Sequence, residues 1–144
     1  MGSFTASLEK NINKVLTEVN DKCYIISFDL FTKVVSLSPT QPSAKYAKGH
    51  FINNWFSAAN TYSMSTTPSV SYDGMSSLSS IAALKSTKVF LGTDGFVSLS
   101  NSLSYARNVE YEGWKKSENP SWTGTVGPYA PVRTALTMTA AKYR

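Results

Sequence analysis

The chain predicts an α+β fold: a long N-terminal helix packed on a small, mostly antiparallel β-sheet, with one or two further short helices. All of it forms a single domain over residues 1–144. Three observations carry this reading. Apolar residues from Phe4 to Leu37 recur at helical spacing. Phe96-Val97-Ser98-Leu99-Ser100 alternates apolar and polar, with Val97 and Leu99 on one face, as in a half-buried strand. Immediately after it, Asn101 to Gly113 changes period: Tyr105 and Val109 are four apart, as are Ala106 and Glu110. That stretch predicts a short helix, with Asn101 and Ser102 as turn formers before it and Gly113 as its C-cap.

In chain order, the stripe of Phe4, Leu8, Ile12, Val15, Val19, Cys23, Ile26, Leu30, Val34 and Leu37 fits one helical face. Ser3 is a suitable cap and Pro39 a suitable stop. A break near Asn20-Asp21, followed by a strand over Cys23–Ile26, is the alternative. The stripe crosses that point without slipping phase, which favours one continuous helix of about 50 Å. Ile26 and Leu30 are expected in the core. The first half exposes Glu9, Lys10, Asn13, Lys14 and Glu18, so it is expected to be more solvated or to rest on a neighbouring chain.

Ser38 to Gly49 is a loop with Pro39 and Pro42. An extended segment is expected from Phe51 to about Tyr62, with Trp55 buried where it meets the helix. Thr66–Ser69 is a second loop, and Asp73 caps a helix through Leu78, Ile81, Ala82 and Lys85. Lys88–Leu91 is β-prone, and Gly92–Gly95 is hairpin-like. At the end, Val132, Leu136 and Thr139 suit a helix, while Leu136 and Met138 alternating with threonines suit a strand; the helix is weakly favoured.

Composition narrows the function. A chain of 144 residues fits one domain with a real core. The apolar runs are too short for a bilayer, so no membrane partner is expected. Met1–Phe4 begins no signal peptide, and the single Cys23 forms no intrachain disulfide; a reducing, intracellular site of synthesis follows. Net charge is +5. That mildly favours an acidic partner, and a small basic nucleic-acid-binding domain is the alternative function. Catalytic groups are scarce. His50 is the only histidine, which excludes a His-rich metal site, and Gly92–Gly95 lacks the Lys-Ser/Thr of a phosphate loop. Glu110 and Glu112, two apart on a helix, point away from each other. No enzyme and no cofactor are expected. The stretch from Trp114 to Pro131 is long and rich in Gly, Pro, Ser and Thr. Trp114, Lys115, Lys116, Trp122 and Tyr129 in it are candidate interface residues, aromatic anchors with a polar rim.

Leu30–Pro39, followed by Asn53-Asn54-Trp55, resembles the tail-completion, or neck, proteins of tailed double-stranded DNA phages. In that family a long N-terminal helix ends in Ser/Thr-Pro, and Asn-Trp opens the first strand. Ser98–Tyr111 resembles the family's strand, its Asn-Asn-Leu-Pro-Tyr-Ala turn and the following helix; Ala130-Pro131-Val132-Arg133 resembles its closing segment. Pro39, Asn54, Trp55, Asn101, Tyr105, Glu110, Tyr111, Gly113 and Arg133 carry the match. The chain departs from the pattern at Thr40-Gln41-Pro42, at Ser104 in place of proline, at Glu112, which is extra, and in a longer loop after Trp114. The resemblance implies a non-enzymatic virion protein, made in the host cytoplasm, that joins tail to head. Its implied partners are copies of itself in a ring, with a hexamer favoured, and the neighbouring connector and tail proteins. Genomic DNA would pass through the lumen without sequence-specific binding.

Overall fold

The structure, a computed structural model, describes residues 2–87, 89, 91, 94–115 and 127–144. Its first element is one helix, α1, Gly2–Leu37. Thirty-six residues at 1.5 Å each give about 54 Å. The segment holds no proline and no glycine past its first position, so nothing breaks it at Asn20-Asp21. Asn20 instead turns its side chain to the body, where its Oδ1 accepts the Leu91 N–H at 2.7 Å. Phe4, Val15, Ile26 and Leu37 are each eleven residues apart, and so are Leu8, Val19 and Leu30. Eleven residues per three turns is close to the natural pitch of a helix, so the stripe runs almost straight along it.

Only the C-terminal half of α1 is covered. Phe31, Val34 and Val35 are buried, and Phe28, Leu30 and Leu37 are partly buried against the same core. Ile26 remains 36% exposed. This corrects its expected core role: Phe31 and Val35, which lie off the stripe, face the body instead. Val34→Ala should therefore cost about 2 kcal/mol, and Ile26→Ala less than about 1 kcal/mol, in urea unfolding.

The sheet is a two-stranded antiparallel pair of β1, Trp55–Ala59, and β2, Val97–Asn101, in the register Trp55 to Asn101 and Ala59 to Val97. The strand expected from Phe51 starts later, because Phe51–Asn53 forms turns. Trp55 is buried as expected, and its Nε1 donates to Ser38 Oγ at 2.8 Å, just past the end of α1. The second helix, α2, is Met75–Ala83, with a 3-10 turn Leu84–Ser86 after it. It closes one edge of β1 with serines. The Trp55 N–H donates to Ser77 Oγ and the Ser57 N–H to Ser80 Oγ, both at 2.9 Å. A strand edge that would invite pairing is thereby capped. Asp73 Oδ1 accepts the Met75 N–H at 3.0 Å, while the N-cap position itself is Gly74.

After β2 the helix expected to Gly113 is short and underwound: a π turn spans Asn108–Glu112, and the Gly113 N–H reaches back to Asn108 O at 2.7 Å. The last element, α3, is Pro131–Lys142, helical as favoured, with proline where the first turn tolerates it. Ala135 is fully buried, and α3 packs on α1. At its end Lys142 pairs with Asp29, which also accepts the Tyr143 hydroxyl. The Lys142 hydrogen bond, and then that of Tyr143, lower the Asp29 pKa below the ordinary carboxylate value. Of the β-prone run 88–91, Leu91 makes an isolated bridge to Gly95. Lys88, Phe90, Gly92 and Thr93 lie outside the described residues.

Candidate assembly surface

The residues singled out by sequence form three hydrogen-bonded knots. The first follows α1. Asn53 and Asn54 are fully buried polar side chains, and they are not strand residues of an ordinary kind. Asn53 Nδ2 donates to Gly49 O and Ser71 O, and its Oδ1 accepts from Ser71 Oγ and the Ser76 N–H. Asn54 Nδ2 donates to His50 O and Thr67 O, and its Oδ1 accepts the Thr67 N–H. Such buried amides are tolerated because their bonding capacity is used. They lock the irregular segment 60–74 to the body. Gly49, at φ +79, lies under that segment, where an added Cβ would fall 2.2 Å from Val70 O.

Aromatic rings make the second knot. Tyr46 stacks on Tyr105 at 3.7 Å between centroids and lies 6.2 Å from Trp114; Phe51 contacts both Trp55 and Tyr105. His50 Nε2 faces the Thr67 carbonyl at 3.1 Å, and Nδ1 faces the Tyr105 hydroxyl at 3.3 Å. A carbonyl only accepts, so the proton sits on Nε2 and Tyr105 donates to Nδ1. Burial, and then the neighbouring Tyr46, push the Tyr105 pKa from 10.0 up to about 12. A raised folded value favours the neutral ring. Its stabilising contribution is complete below pH 10 and disappears as pH climbs towards 12. Denaturant melts across that window should show falling stability, and Tyr105→Phe should flatten the fall.

The third knot joins the π turn to α3. Glu110 Oε2 accepts the Val132 N–H at 2.9 Å; Oε1 accepts the Arg133 N–H at 3.0 Å and Arg133 Nε at 3.1 Å. The Arg133 guanidinium also lies 4.9 Å from the Tyr111 ring. Glu112 faces away and pairs with Arg107. Asn101 Nδ2 donates to Phe51 O, which joins the strand to the first knot. Pro39 directly follows Ser38, the partner of Trp55. These residues hold the body together; none of them forms a catalytic constellation. Among the described residues no cluster could hold a metal, and no helix is long and apolar enough to cross a membrane.

Of the expected interface residues, Trp114 departs from its prediction. Trp114 is 3% exposed and packs into the aromatic cluster, so it is a core residue and not a surface anchor. Lys115 is exposed. Tyr129 is 38% exposed, and its N–H donates to Val109 O. Lys116 and Trp122 lie outside the described residues. The ends of this stretch lie against each other, since a Cβ on Gly127 would fall 3.2 Å from the Gly113 Cα.

Exposed apolar side chains are found elsewhere. Phe4, Leu8, Ile12, Val15, Leu16 and Val19 line the N-terminal half of α1, with Phe4 at 74% exposure. Tyr62, Met64, Val70, Tyr72 and Met75 stand out from the Asn-locked segment, with Met64 at 81%. The first group, apart from Leu16, was visible as a stripe. The second had no periodic signal, because the segment is irregular. Surfaces of this kind mark contacts with other molecules. Compared with protein-family models, curated proteins and solved structures, the chain matches none.

Proposed function

We propose that this chain is a non-enzymatic structural subunit of a phage virion, a tail-completion or neck component that forms a ring around the DNA passage between head and tail. One observation carries the reading: half of a long helix stands free of its body with an apolar stripe exposed. A subunit built to work alone would shorten such a helix or make that face polar.

The residues behind the family resemblance support it. Ser38 and Trp55, Asn101 and Phe51, and Glu110 and Arg133 are bonded in pairs, as one framework. Glu112, extra to the family pattern, falls in the π turn. Such a turn is how a helix absorbs one added residue. The partners proposed are further copies in a ring, with a hexamer favoured, together with connector and tail proteins above and below. Genomic DNA is expected to pass without sequence-specific contact.

The test is microscopy of virions carrying a label on this chain, with infection by a phage lacking it as the second arm. Label at the head-tail junction, and unjoined heads and tails without the chain, are the expected results. Label absent from particles, or normal particles without the chain, would reject the function.

A further inference from the structure

The two exposed apolar surfaces do not cover one another in the structure, where the side chains of both stay exposed. Gly74, at the end of the locked segment, lies under Val35 near the C-terminus of α1: a Cβ there would be 2.9 Å from Val35 Cγ1. The stripe is centred on Ile12, twenty-three residues earlier in the same helix. That spacing corresponds to about 35 Å along a rigid rod. The Gly74 end of the segment is therefore far from the centre of the stripe, while its Tyr62 end packs on Phe96, towards the Leu91–Asn20 contact.

The two surfaces match each other in apolar character. From the exposures of their side chains, each presents on the order of 500 Å² of apolar area, and joining them would bury about 1,000 Å², the lower bound for a specific interface. The segment is nearly uncharged, with Asp73 the only charged residue between Asn60 and Met75, whereas Glu9 and Glu18 flank the stripe. Each surface is also held in shape before contact. One rides on a helix, and the other is clamped by Asn53 and Asn54. Little ordering entropy is then lost on docking.

We propose that the free half of α1 of one copy docks, through Phe4, Leu8, Ile12, Leu16 and Val19, on the Tyr62–Met75 segment of the next copy. The contact is head-to-tail. Each subunit offers one surface and receives the other, so the assembly continues until it closes as a ring. The proposal rests on the assembly reading above in naming a second copy as the occupant, but not on a virion location.

Two double variants test it. Leu8→Glu with Leu16→Glu charges the stripe; Met64→Glu with Tyr72→Glu charges the segment. All four positions are exposed, and glutamate is a good helix former, so circular dichroism and melting should match the parent. In analytical ultracentrifugation the parent should associate beyond a dimer. Each variant alone should be monomeric, its association weakened about 30-fold or more. Mixed together, the two variants should form a one-to-one dimer that stops there, because one intact stripe meets one intact segment. A monomeric parent would overturn the proposal. So would dimers of the segment variant alone, which would mean stripe-to-stripe pairing, or a mixture that stays monomeric. If the mixture behaves as expected while labelled virions lack the chain, the contact stands and the virion function fails.

Discussion

Glu110→Ala should lower the unfolding free energy by about 3 kcal/mol, from one lost helix cap and the charge-assisted bonds with it. The effect comes from how α3 begins. Ala130, at its N-cap position, has φ +50 and offers no side-chain acceptor. The first free N–H groups of a helix need partners. Glu110 supplies them from the π turn, accepting from both Val132 and Arg133, and its negative charge sits at the positive end of the helix. The carboxylate is only 10% exposed. Water cannot simply replace it without the surrounding packing opening. Arg133 is half exposed and can turn to solvent, which keeps the cost below that of a fully buried ion pair. Glu110→Gln should recover part of the loss, since the amide keeps one acceptor but no charge. Urea unfolding of both variants decides it: the midpoint should fall with an unchanged slope. A midpoint within error of the parent for Glu110→Ala would remove the cap from the account of the fold.

What was legible in the sequence follows from what each signal measures. The spacing of threes and fours in α1 reports a helix whatever covers it, so Gly2–Leu37 was readable end to end. The same signal is blind to which face meets the body. Phe31 and Val35 carry the core, while Ile26 on the stripe stays exposed. Alternation marked β2, and the spacing of Val132, Leu136 and Thr139 weakly favoured the helix α3 over a strand. Asn53 and Asn54 fit the opening of a strand by sequence, because local pattern cannot show that an amide is buried and bonded both to residues four positions back and to residues 13 to 23 positions ahead. The candidate surface divides the same way. Its α1 half was visible as apolar spacing, and its Tyr62–Met75 half was not, because irregular backbone has no period to detect.

Trp114 shows the same limit from the other side, and it carries the largest expected effect. A tryptophan opening a Gly- and Pro-rich stretch looks like an interface anchor, because sequence alone does not reveal its neighbours. In the fold it is 3% exposed, 6.2 Å from the Tyr46 ring, and part of the cluster that includes Tyr105 and Val109. Tyr46 is sixty-eight residues away in the chain. Trp114→Ala should therefore cost about 3–5 kcal/mol in unfolding free energy, the range for emptying a large aromatic from a packed core. Trp114→Phe should cost much less, since it leaves most of the volume filled. An interface anchor predicts the reverse: a parent-like melting point for Trp114→Ala and a loss of self-association only. Melting and sedimentation of the same two variants separate these outcomes. Destabilisation by Ala with rescue by Phe fixes Trp114 in the core, whereas unchanged stability with lost association would return it to the surface of contact.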